Sequence, residues 1–188
     1  MPRLTREQID DEILETAATL FARHGFKETS VQRIADAVGY SKTGLLHRYP
    51  SKEALQQAVI ERGLREVQNV TTETAGVPPG PERDRALITA LAHLAVDCPG
   101  TIALLLSGLM SAPESEIGPA FEELGEMIFT AFAVDLDCHS TRAVRVIGAL
   151  GALAVAAVAL REKLPAGTVD DLIEVSYDAL GHARPTTH

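Results

Sequence analysis

Tryptophan is absent from this chain, aromatic residues make up only 4% of it, and cysteine occurs twice. Because strands are enriched in aromatic and β-branched residues, this scarcity argues against a β-sandwich. Hydrophobic residues reach 46%, which excludes a mainly disordered chain. With 188 residues, the chain can fold without disulfides, as one domain or as a small domain fused to a larger one. Its abundant alanine and leucine favour packed helices, and we predict an all-α fold.

The sequence also offers few signs of a metal site or a membrane segment. Cys98 and Cys138 lie forty residues apart, without a CxxC motif or a matching histidine spacing, so we expect two reduced thiols, no metal site and no cofactor. The polar N-terminus lacks the apolar core of a signal peptide, and we expect a cytoplasmic protein. The longest apolar run, Val146–Leu160, is shorter than the ~20 residues that span a bilayer. It predicts a buried helix rather than an anchor.

Negative charge is concentrated in one part of the chain. The formal net charge is −9. Residues 1–66 contain ten Lys/Arg and ten Asp/Glu, whereas residues 67–188 contain seven and sixteen, so the whole excess lies in the second segment. A neutral N-terminal domain with its cations on one side is compatible with DNA binding, even within an acidic protein.

Two short helical patterns in the first third of the chain are joined by a compact turn. The first has apolar residues at the i, i+3, i+4 and i+7 positions, namely Val31, Ile34, Ala35 and Val38. Thr29 and Gln32 predict a capping box at its start. Gly39 can take a positive φ after this helix, and Ser41 is a good N-cap for a second helix over residues 42–49. A connection of about three residues is typical of a DNA-binding helix-turn-helix.

The second of these helices has the composition of a recognition helix. Leu45 and Leu46 can face inward while the polar residues face outward, and Gly44 leaves space for close approach to DNA. A third helix begins after Ser51, where Lys52 lies beside N-terminal amides suited to a phosphate. Any one of these charges alone is typical of a solvated helix face. Together they predict the following DNA-contacting residues: Thr29, Ser30, Ser41, Lys42, Thr43, Gly44, His47, Arg48, Tyr49 and Lys52.

These residues resemble the DNA-binding domain of the TetR family of bacterial transcriptional regulators. The resemblance lies in Gly25-Phe26, Thr29-Ser30-Val31, Ile34-Ala35, Gly39, Ser41–Leu45 and Tyr49–Leu55, and covers about the first quarter of the chain. It implies an N-terminal three-helix helix-turn-helix domain, over residues 1–50, joined by a long helix to a helical ligand-binding and dimerisation domain over residues 51–188. Family members commonly carry a phosphate-contacting tyrosine where this chain has Leu46, which leaves His47 or Tyr49 as substitutes.

Further helices are predicted on both sides of this motif. A helix over residues 5–24, closed by Gly25, is expected to brace the helix-turn-helix. A long helix from Ser51 to about Thr72 would act as a lever between the two domains. After a proline-rich break, we predict helices over 82–97, 100–111, 119–133 and 140–161, and a last helix that reaches Leu180.

The resemblance implies a ligand cavity enclosed by the helices after the proline-rich break. Candidate lining residues are Leu105, Leu109, Met110, Phe121, Met127 and Phe129. A stripe of apolar residues at helical spacing is also the pattern of a simple core. His93 is either a polar contact in this region or an ordinary core or surface histidine.

Two C-terminal helices carry patterns that suit helix–helix contact. Small residues four apart, Gly148, Ala152 and Ala156, let another helix approach closely. The last helix has a matching stripe that includes Leu172, Ile173, Ser176 and Leu180. The resemblance implies that two such helices from each subunit form a four-helix dimer interface. The alternative is burial within one monomer.

We therefore expect a homodimeric DNA-binding transcriptional regulator, a repressor released by a small apolar or amphipathic ligand. Its expected partners are a palindromic double-stranded operator, a small-molecule effector and a second copy of the chain, without a membrane. A helical enzyme is a remote alternative, because the acidic, histidine and cysteine residues form no recognised catalytic spacing: His93, Asp97, Cys98, Cys138 and His139. A ligand-independent DNA-binding or scaffolding protein of the same fold is the other alternative.

Overall fold

The computed structural model describes residues 5–109, 118–135, 140–160 and 167–182. Within these ranges the regular secondary structure is α-helix and no strand is present, which confirms the predicted all-α fold. The helices are α1 (Arg6–His24), α2 (Val31–Ala37), α3 (Lys42–Arg48), α4 (Lys52–Thr74), α5 (Pro81–Asp97), α6 (Pro99–Leu109), α7 (Gly118–Ala131), α8 (Thr141–Leu160) and α9 (Thr168–Ala179).

The described residues form two compact units. The first contains residues up to 65 and residues 98–121, and it holds α1, α2, α3, α6 and most of α4. The second contains residues 66–97 and those from 122 onward, with α5, α8, α9 and most of α7. The division into a DNA-binding domain over 1–50 and a ligand-binding domain over 51–188 stays a prediction.

Local signals explain where α1 begins and ends. The Thr5 hydroxyl accepts a hydrogen bond from the amide of Gln8, and the Gln8 side chain accepts one from the amide of Thr5. This capping box satisfies two amides that have no partner inside the helix. At the other end Gly25 takes a φ of 78°, which costs a glycine little, and its amide donates to the carbonyl of Phe21.

The core of the first unit joins four helices and the start of α4. Its buried members are Ile13, Leu14, Ala17, Ala18, Phe21, Ile34, Ala35, Leu45, Leu55, Val59 and Leu104. Leu45 of α3 is fully buried here, and Leu104 of α6 belongs to the same cluster. Truncating a buried leucine to alanine typically costs about 2–5 kcal/mol. The burial of Leu45 therefore determines which face α3 turns toward solvent.

In the second unit α5, α8 and α9 pack against one another. Asp84 of α5 is only 1% exposed, and Arg142 of α8 donates to both of its carboxylate oxygens at 2.9 Å. His182, after α9, contacts the same carboxylate at 2.7 Å. Since a buried carboxylate is stable only when its charge is compensated, these contacts hold the three helices together.

Helix α8 differs from the predicted buried helix. By length and apolar composition alone it is long enough to cross a membrane. One stripe of it is buried, namely Ala143, Val146, Ala149, Leu153 and Ala157. The opposite side is open to solvent, where Val144, Ile147 and Val155 are 70%, 54% and 58% exposed. The prediction of a buried helix is therefore wrong for half of its surface.

Candidate nucleic-acid interface

The turn between α2 and α3 is built as the sequence predicts. Gly39 takes a φ of 71°, and the Tyr40 amide donates to the carbonyl of Ala35 at 2.8 Å. The Ser41 hydroxyl then caps α3 by accepting a hydrogen bond from the amide of Gly44 at 3.0 Å. Because the reversal is completed within four residues, α3 emerges at a defined angle from α2.

One face of α3 is held in the core and the opposite face is exposed. Leu45 is fully buried, whereas Lys42, Thr43, Gly44 and His47 are exposed. The helix sequence, KTGLLHR, contains two cations and no acidic residue. Such a face offers an ammonium, a hydroxyl and an imidazole to base edges and phosphates without local charge repulsion.

Gly44 brings the backbone of α3 to the surface of this face. An added Cβ at Gly44 would lie 3.1 Å from the Ser41 hydroxyl oxygen, closer than an ordinary van der Waals contact. Glycine therefore suits this position for two reasons. It preserves the capping hydrogen bond, and it leaves the exposed backbone open to close approach by another molecule.

The C-terminal end of α3 is tied to α1 by Asp10. The Arg48 Nε atom lies 2.6 Å from one oxygen of this carboxylate, and the Tyr49 hydroxyl donates to it at 3.2 Å. Arg48 also donates to the carbonyl of Arg6 at 3.3 Å. Arg48 and Tyr49, which we predicted to contact DNA, thus have structural roles in orienting α3, and their DNA contacts stay predictions.

The surroundings of Tyr49 keep its hydroxyl protonated. Burial, together with the negative charge and hydrogen bond of Asp10, raises the pKa of Tyr49 from 10.0 to about 12. Asp10 was missed as a functional residue, because it lies 38 and 39 residues from its two partners and no local pattern connects them.

Lys52 has a similar structural role at the start of α4. Its ammonium donates to the carbonyls of Phe26 and Lys27 at 2.9 and 3.2 Å, and it lies 4.3 Å from the centre of the Phe26 ring. These contacts fix α4 to the loop between α1 and α2. An ammonium has three N–H donors, so one stays available for the predicted phosphate contact.

Two predictions for the start of α2 are wrong. Thr29 is fully buried, and its hydroxyl donates to the carbonyls of Gly25 and Leu20 at 2.8 and 3.2 Å. It therefore neither forms a capping box with Gln32 nor reaches DNA. Ser30 caps α2 instead, accepting a hydrogen bond from the amide of Arg33 at 3.1 Å, and it is exposed.

Leu46 occupies the position at which the resemblance implies a tyrosine. Its side chain is half-buried, while its neighbour His47 is exposed. Since Tyr49 is bound to Asp10, His47 is the better placed of the two predicted substitutes for a phosphate contact.

The structure describes only part of the predicted ligand-contacting set, and a shared cavity for these residues stays a prediction. Leu105 lines an apolar cavity of about 20 Å³ in the first unit, together with Val59, Ile60, Gly63, Leu64, Thr101, Leu104 and Ala120. Met127 and Phe129 are half-buried residues of α7. The side chains of Leu109 and Phe121, and the whole of Met110, lie outside the described residues. His93 is exposed on α5, which corresponds to the surface alternative.

The predicted dimer residues divide into two groups. On α8, Gly148 is exposed, and Ala152 and Ala156 are half-buried. On α9 and just after it, Leu172, Ile173, Ser176 and Leu180 are all buried inside the second unit, and their predicted place at an interface stays a prediction. Val175 of α9 is a large apolar side chain that is 62% exposed.

Similarity to known proteins falls most strongly on the helix-turn-helix. Residues 13–59 match the family model for bacterial regulatory proteins of the tetR family. The chain is 46% identical over 52 residues to the HTH-type transcriptional regulator RutR of Escherichia coli, a match that covers 28% of this chain and 24% of RutR. It is 44% identical over 50 residues to the HTH-type transcriptional repressor KstR2 of Mycolicibacterium smegmatis, covering 27% and 24%.

A longer match, to the uncharacterized HTH-type transcriptional regulator YfiR of Bacillus subtilis, is 37% identical over 68 residues and covers 35% of this chain. The matched segments span a quarter to a third of these relatives. Sequence similarity therefore supports the assignment of a helix-turn-helix to the N-terminal segment. The function of the whole protein is a proposal.

Solved structures resemble the chain over nearly its full length. The ketosteroid transcriptional regulator KstR2 of Mycobacterium tuberculosis has a TM-score of 0.71 at 17% identity, with 95% of each chain covered. A TetR-like regulator from Rhodococcus sp. RHA1 has a TM-score of 0.68 at 19% identity, with 95% and 97% covered. AibR in complex with isovaleryl coenzyme A and operator DNA has a TM-score of 0.60 at 19% identity, with 90% and 96% covered.

At these identities the structural likeness establishes the fold, and the match over residues 13–59 adds the family's helix-turn-helix. The resemblance stated from the sequence is confirmed for the helix-turn-helix segment, where residues 13–59 match the family model for bacterial regulatory proteins of the tetR family.

Proposed function

We propose that this chain is a homodimeric, DNA-binding transcriptional regulator, a repressor released from its operator by a small apolar or amphipathic ligand. The observation that carries the proposal is the exposed face of α3. Lys42, Thr43 and His47 lie open there beside the accessible backbone of Gly44, while the burial of Leu45 fixes the orientation of the helix. An exposed helix face of this kind can enter the major groove and donate to base edges.

Selection of bound duplexes from a random DNA pool tests this activity. A two-fold dimer should enrich palindromes whose half-sites lie about 34–36 Å apart, or a multiple of that spacing. If each subunit engages about three phosphates, log affinity should fall against log salt with a slope of roughly −5. A Lys42→Ala/His47→Ala double variant is the control. No enriched palindrome and a flat salt dependence would exclude the proposal.

Dimerisation is supported by the exposed side of the second unit. Val144, Ile147 and Val155 of α8 and Val175 of α9 leave more than half of their surface in water. Among the described residues no side chain lies within 4 Å of an added Cβ at Gly148 or Gly151, so another helix could pack closely there. Full burial of a valine or isoleucine side chain contributes about 1.5–3 kcal/mol to the free energy of association. In a two-fold dimer each side chain makes this contribution twice, once from each subunit.

Control by a ligand is supported by a solved structure of similar fold that contains both a small molecule and DNA. The AibR complex holds an amphipathic acyl-coenzyme A together with operator DNA, and its fold covers most of this chain. For a ligand to release DNA, its affinity must differ between the DNA-competent and incompetent states, typically by a coupling of about 1–3 kcal/mol. Adding acyl-coenzyme A thioesters and steroids to the complex with selected DNA should reveal such release as a fall in fluorescence anisotropy.

A ligand-independent regulator is the second candidate, because the cavity that Leu105 lines among the described residues is small. At about 20 Å³ this cavity has room for roughly one water molecule. Pockets for drug-sized ligands are about 300–1,000 Å³. A ligand at this site would have to separate the helices that line it. If none of these acyl-coenzyme A thioesters and steroids changes the DNA affinity or the melting temperature of the protein, a ligand-independent regulator is the better proposal.

A further inference from the structure

We propose that an open groove between the start of α8 and the residues after α9 binds the oxyanion group of a small metabolite, either a phosphate or a carboxylate. The groove lies within the second unit and has a volume of about 400 Å³. Pockets for small molecules are commonly about 300–1,000 Å³, so this groove has room for such a ligand. The residues that line it are Thr141, Arg142, Arg145, Leu180, Gly181 and His182.

Arg145 is held against the chain that follows α9. Its Nη1 atom donates to the carbonyls of Leu180 and Gly181 at 3.3 and 3.0 Å. Gly181 takes a φ of 71°, and an added Cβ there would collide with the guanidinium, which therefore packs directly on the glycine backbone. The Nε and Nη2 atoms of Arg145 donate to none of the described residues, so their N–H groups are available to a ligand.

Arg142 lies three residues earlier on α8 and is also fixed in place. Its Nη2 atom donates to both carboxylate oxygens of Asp84 at 2.9 Å and to the carbonyl of Phe132 at 2.7 Å. Its Nε atom donates to the same carbonyl at 3.2 Å. The side chain is nevertheless 35% exposed, and its Nη1 atom has no hydrogen-bond partner in the described part of the chain. Residues three apart on a helix share a face, so both guanidiniums offer N–H groups to one groove.

The groove contains more positive than negative charge. Asp84 compensates Arg142 and also contacts the ring of His182 at 2.7 Å, whereas the acceptors found for Arg145 are neutral carbonyls. Both guanidiniums are charged, because arginine does not lose its proton in proteins. The excess is unusual in this segment, since residues 67–188 contain sixteen Asp/Glu and seven Lys/Arg. An oxyanion in the groove would supply the negative charge that Arg145 lacks.

The donors of the groove match the geometry of an oxyanion. A guanidinium presents paired N–H groups in one plane, and these fit two oxygens of a phosphate or a carboxylate. Because both guanidiniums are already fixed, binding would cost little side-chain entropy. The exposed Thr141 hydroxyl lines the same groove and can donate a further hydrogen bond. The amide of Ala143 is not available, because the Ser140 hydroxyl already accepts its hydrogen bond at 3.1 Å.

Titration with inorganic phosphate tests the site on the full chain, without DNA. Sodium chloride keeps the ionic strength constant, so that general screening of surface charge does not change. We expect a saturable shift of the Arg145 Nε–H signal in NMR spectra. Calorimetry should show that Arg145→Gln weakens phosphate binding about tenfold, because charge-assisted hydrogen bonds are lost. The matched control is Arg23→Gln, which removes an exposed cation at the end of α1, outside the groove.

A shift that never saturates, or equal phosphate affinity in Arg145→Gln and Arg23→Gln, would overturn the proposal. If Arg145→Gln fails to fold, Thr141→Val tests the same groove and should weaken binding about fivefold; unchanged affinity would then count as refutation.

A parallel titration with sodium acetate distinguishes the two sources of an oxyanion. Tighter binding of phosphate would identify a phosphate monoester as the ligand class, and tighter binding of acetate would identify a carboxylic acid. The site does not depend on the function proposed above. Saturable phosphate binding by a protein that enriches no DNA would reject that function and leave the oxyanion site intact.

Discussion

Replacing Val144 by aspartate should dissociate the proposed dimer while leaving the subunit folded. Val144 is 70% exposed, so a partner subunit would bury most of a side chain whose full burial is worth about 1.5–3 kcal/mol. The loss is then about 1–2 kcal/mol per subunit, or about 2–4 kcal/mol for a symmetric pair. At 1.4 kcal/mol per factor of ten, the dimer Kd should rise about 30- to 1,000-fold. A carboxylate near the N-terminus of α8 interacts favourably with the helix dipole, so the subunit itself should stay folded.

Sedimentation velocity over a dilution series measures this change directly. Thr130→Asp is the matched control, because Thr130 is an exposed residue of α7 and the substitution adds the same charge. A wild-type protein that stays monomeric at micromolar concentration would refute the reasoning. A Val144→Asp protein that dimerises as tightly as the control would show that this face is not the interface.

Three further predictions concern the candidate DNA-binding unit. Lys42→Ala should weaken binding to all sequences alike and reduce the salt slope by about 2, since a dimer loses two phosphate contacts; an unchanged slope in an anisotropy titration would remove Lys42 from the interface. Because the pKa of Tyr49 is raised from 10.0 to about 12, the stability that its proton contributes is complete below pH 10 and is lost as the pH rises toward 12. Urea unfolding across this range should show a steeper decline for wild type than for Tyr49→Phe. Gly39→Ala should lower the free energy of unfolding by about 1–2 kcal/mol, because alanine is strained at a φ of 71° and no neighbour in the described part of the chain lies within 4 Å to add a clash. Gly125→Ala, in an open helical position, should raise it by about 0.5–1 kcal/mol, and equal effects at both sites would contradict the conformational explanation.

The parts of the fold that the sequence predicted correctly depend on residues close together in the chain. The reversal at Gly39 and the cap at Ser41 each involve neighbours within five residues. The end of α1 at Gly25 is equally local. Propensity and periodicity report such interactions directly, which is why the helix-turn-helix was recognisable before any tertiary contact was known.

The contacts that orient these elements could not be predicted in the same way. Asp10 meets Arg48 across 38 residues, and Glu15 meets Thr101 across 86. Neither acidic residue differs, within the sequence of α1, from an ordinary solvated carboxylate. Thr29 is an example in which a local sequence signal gave a wrong prediction. It has the residue type of an N-cap, but tertiary packing buries it and gives the cap to Ser30.

Periodicity also left the faces of α8 undecided. Ala152 and Ala156 lie four residues apart, and so do the adjacent residues Leu153 and Ala157, so both stripes satisfy the same spacing rule. Only packing in the second unit shows that Leu153 and Ala157 are buried, at 3% and 2% exposed. A helix pattern predicts that a buried stripe exists more reliably than it predicts which stripe is buried.

The exposed apolar side of α8 is better explained by a protein partner than by lipid, although the helix is long enough to span a membrane. Its Arg142 binds the carboxylate of Asp84, which is 1% exposed, and removing this partner would leave a buried carboxylate without its charge compensation. Moving α8 into lipid would break this pair and expose Val146, which is fully buried. Lipid would also surround every side of the helix, whereas only one side is available. A second copy of the chain needs only the available side, and the glycines there permit close helix contact. We therefore propose this surface as the interface of the proposed dimer.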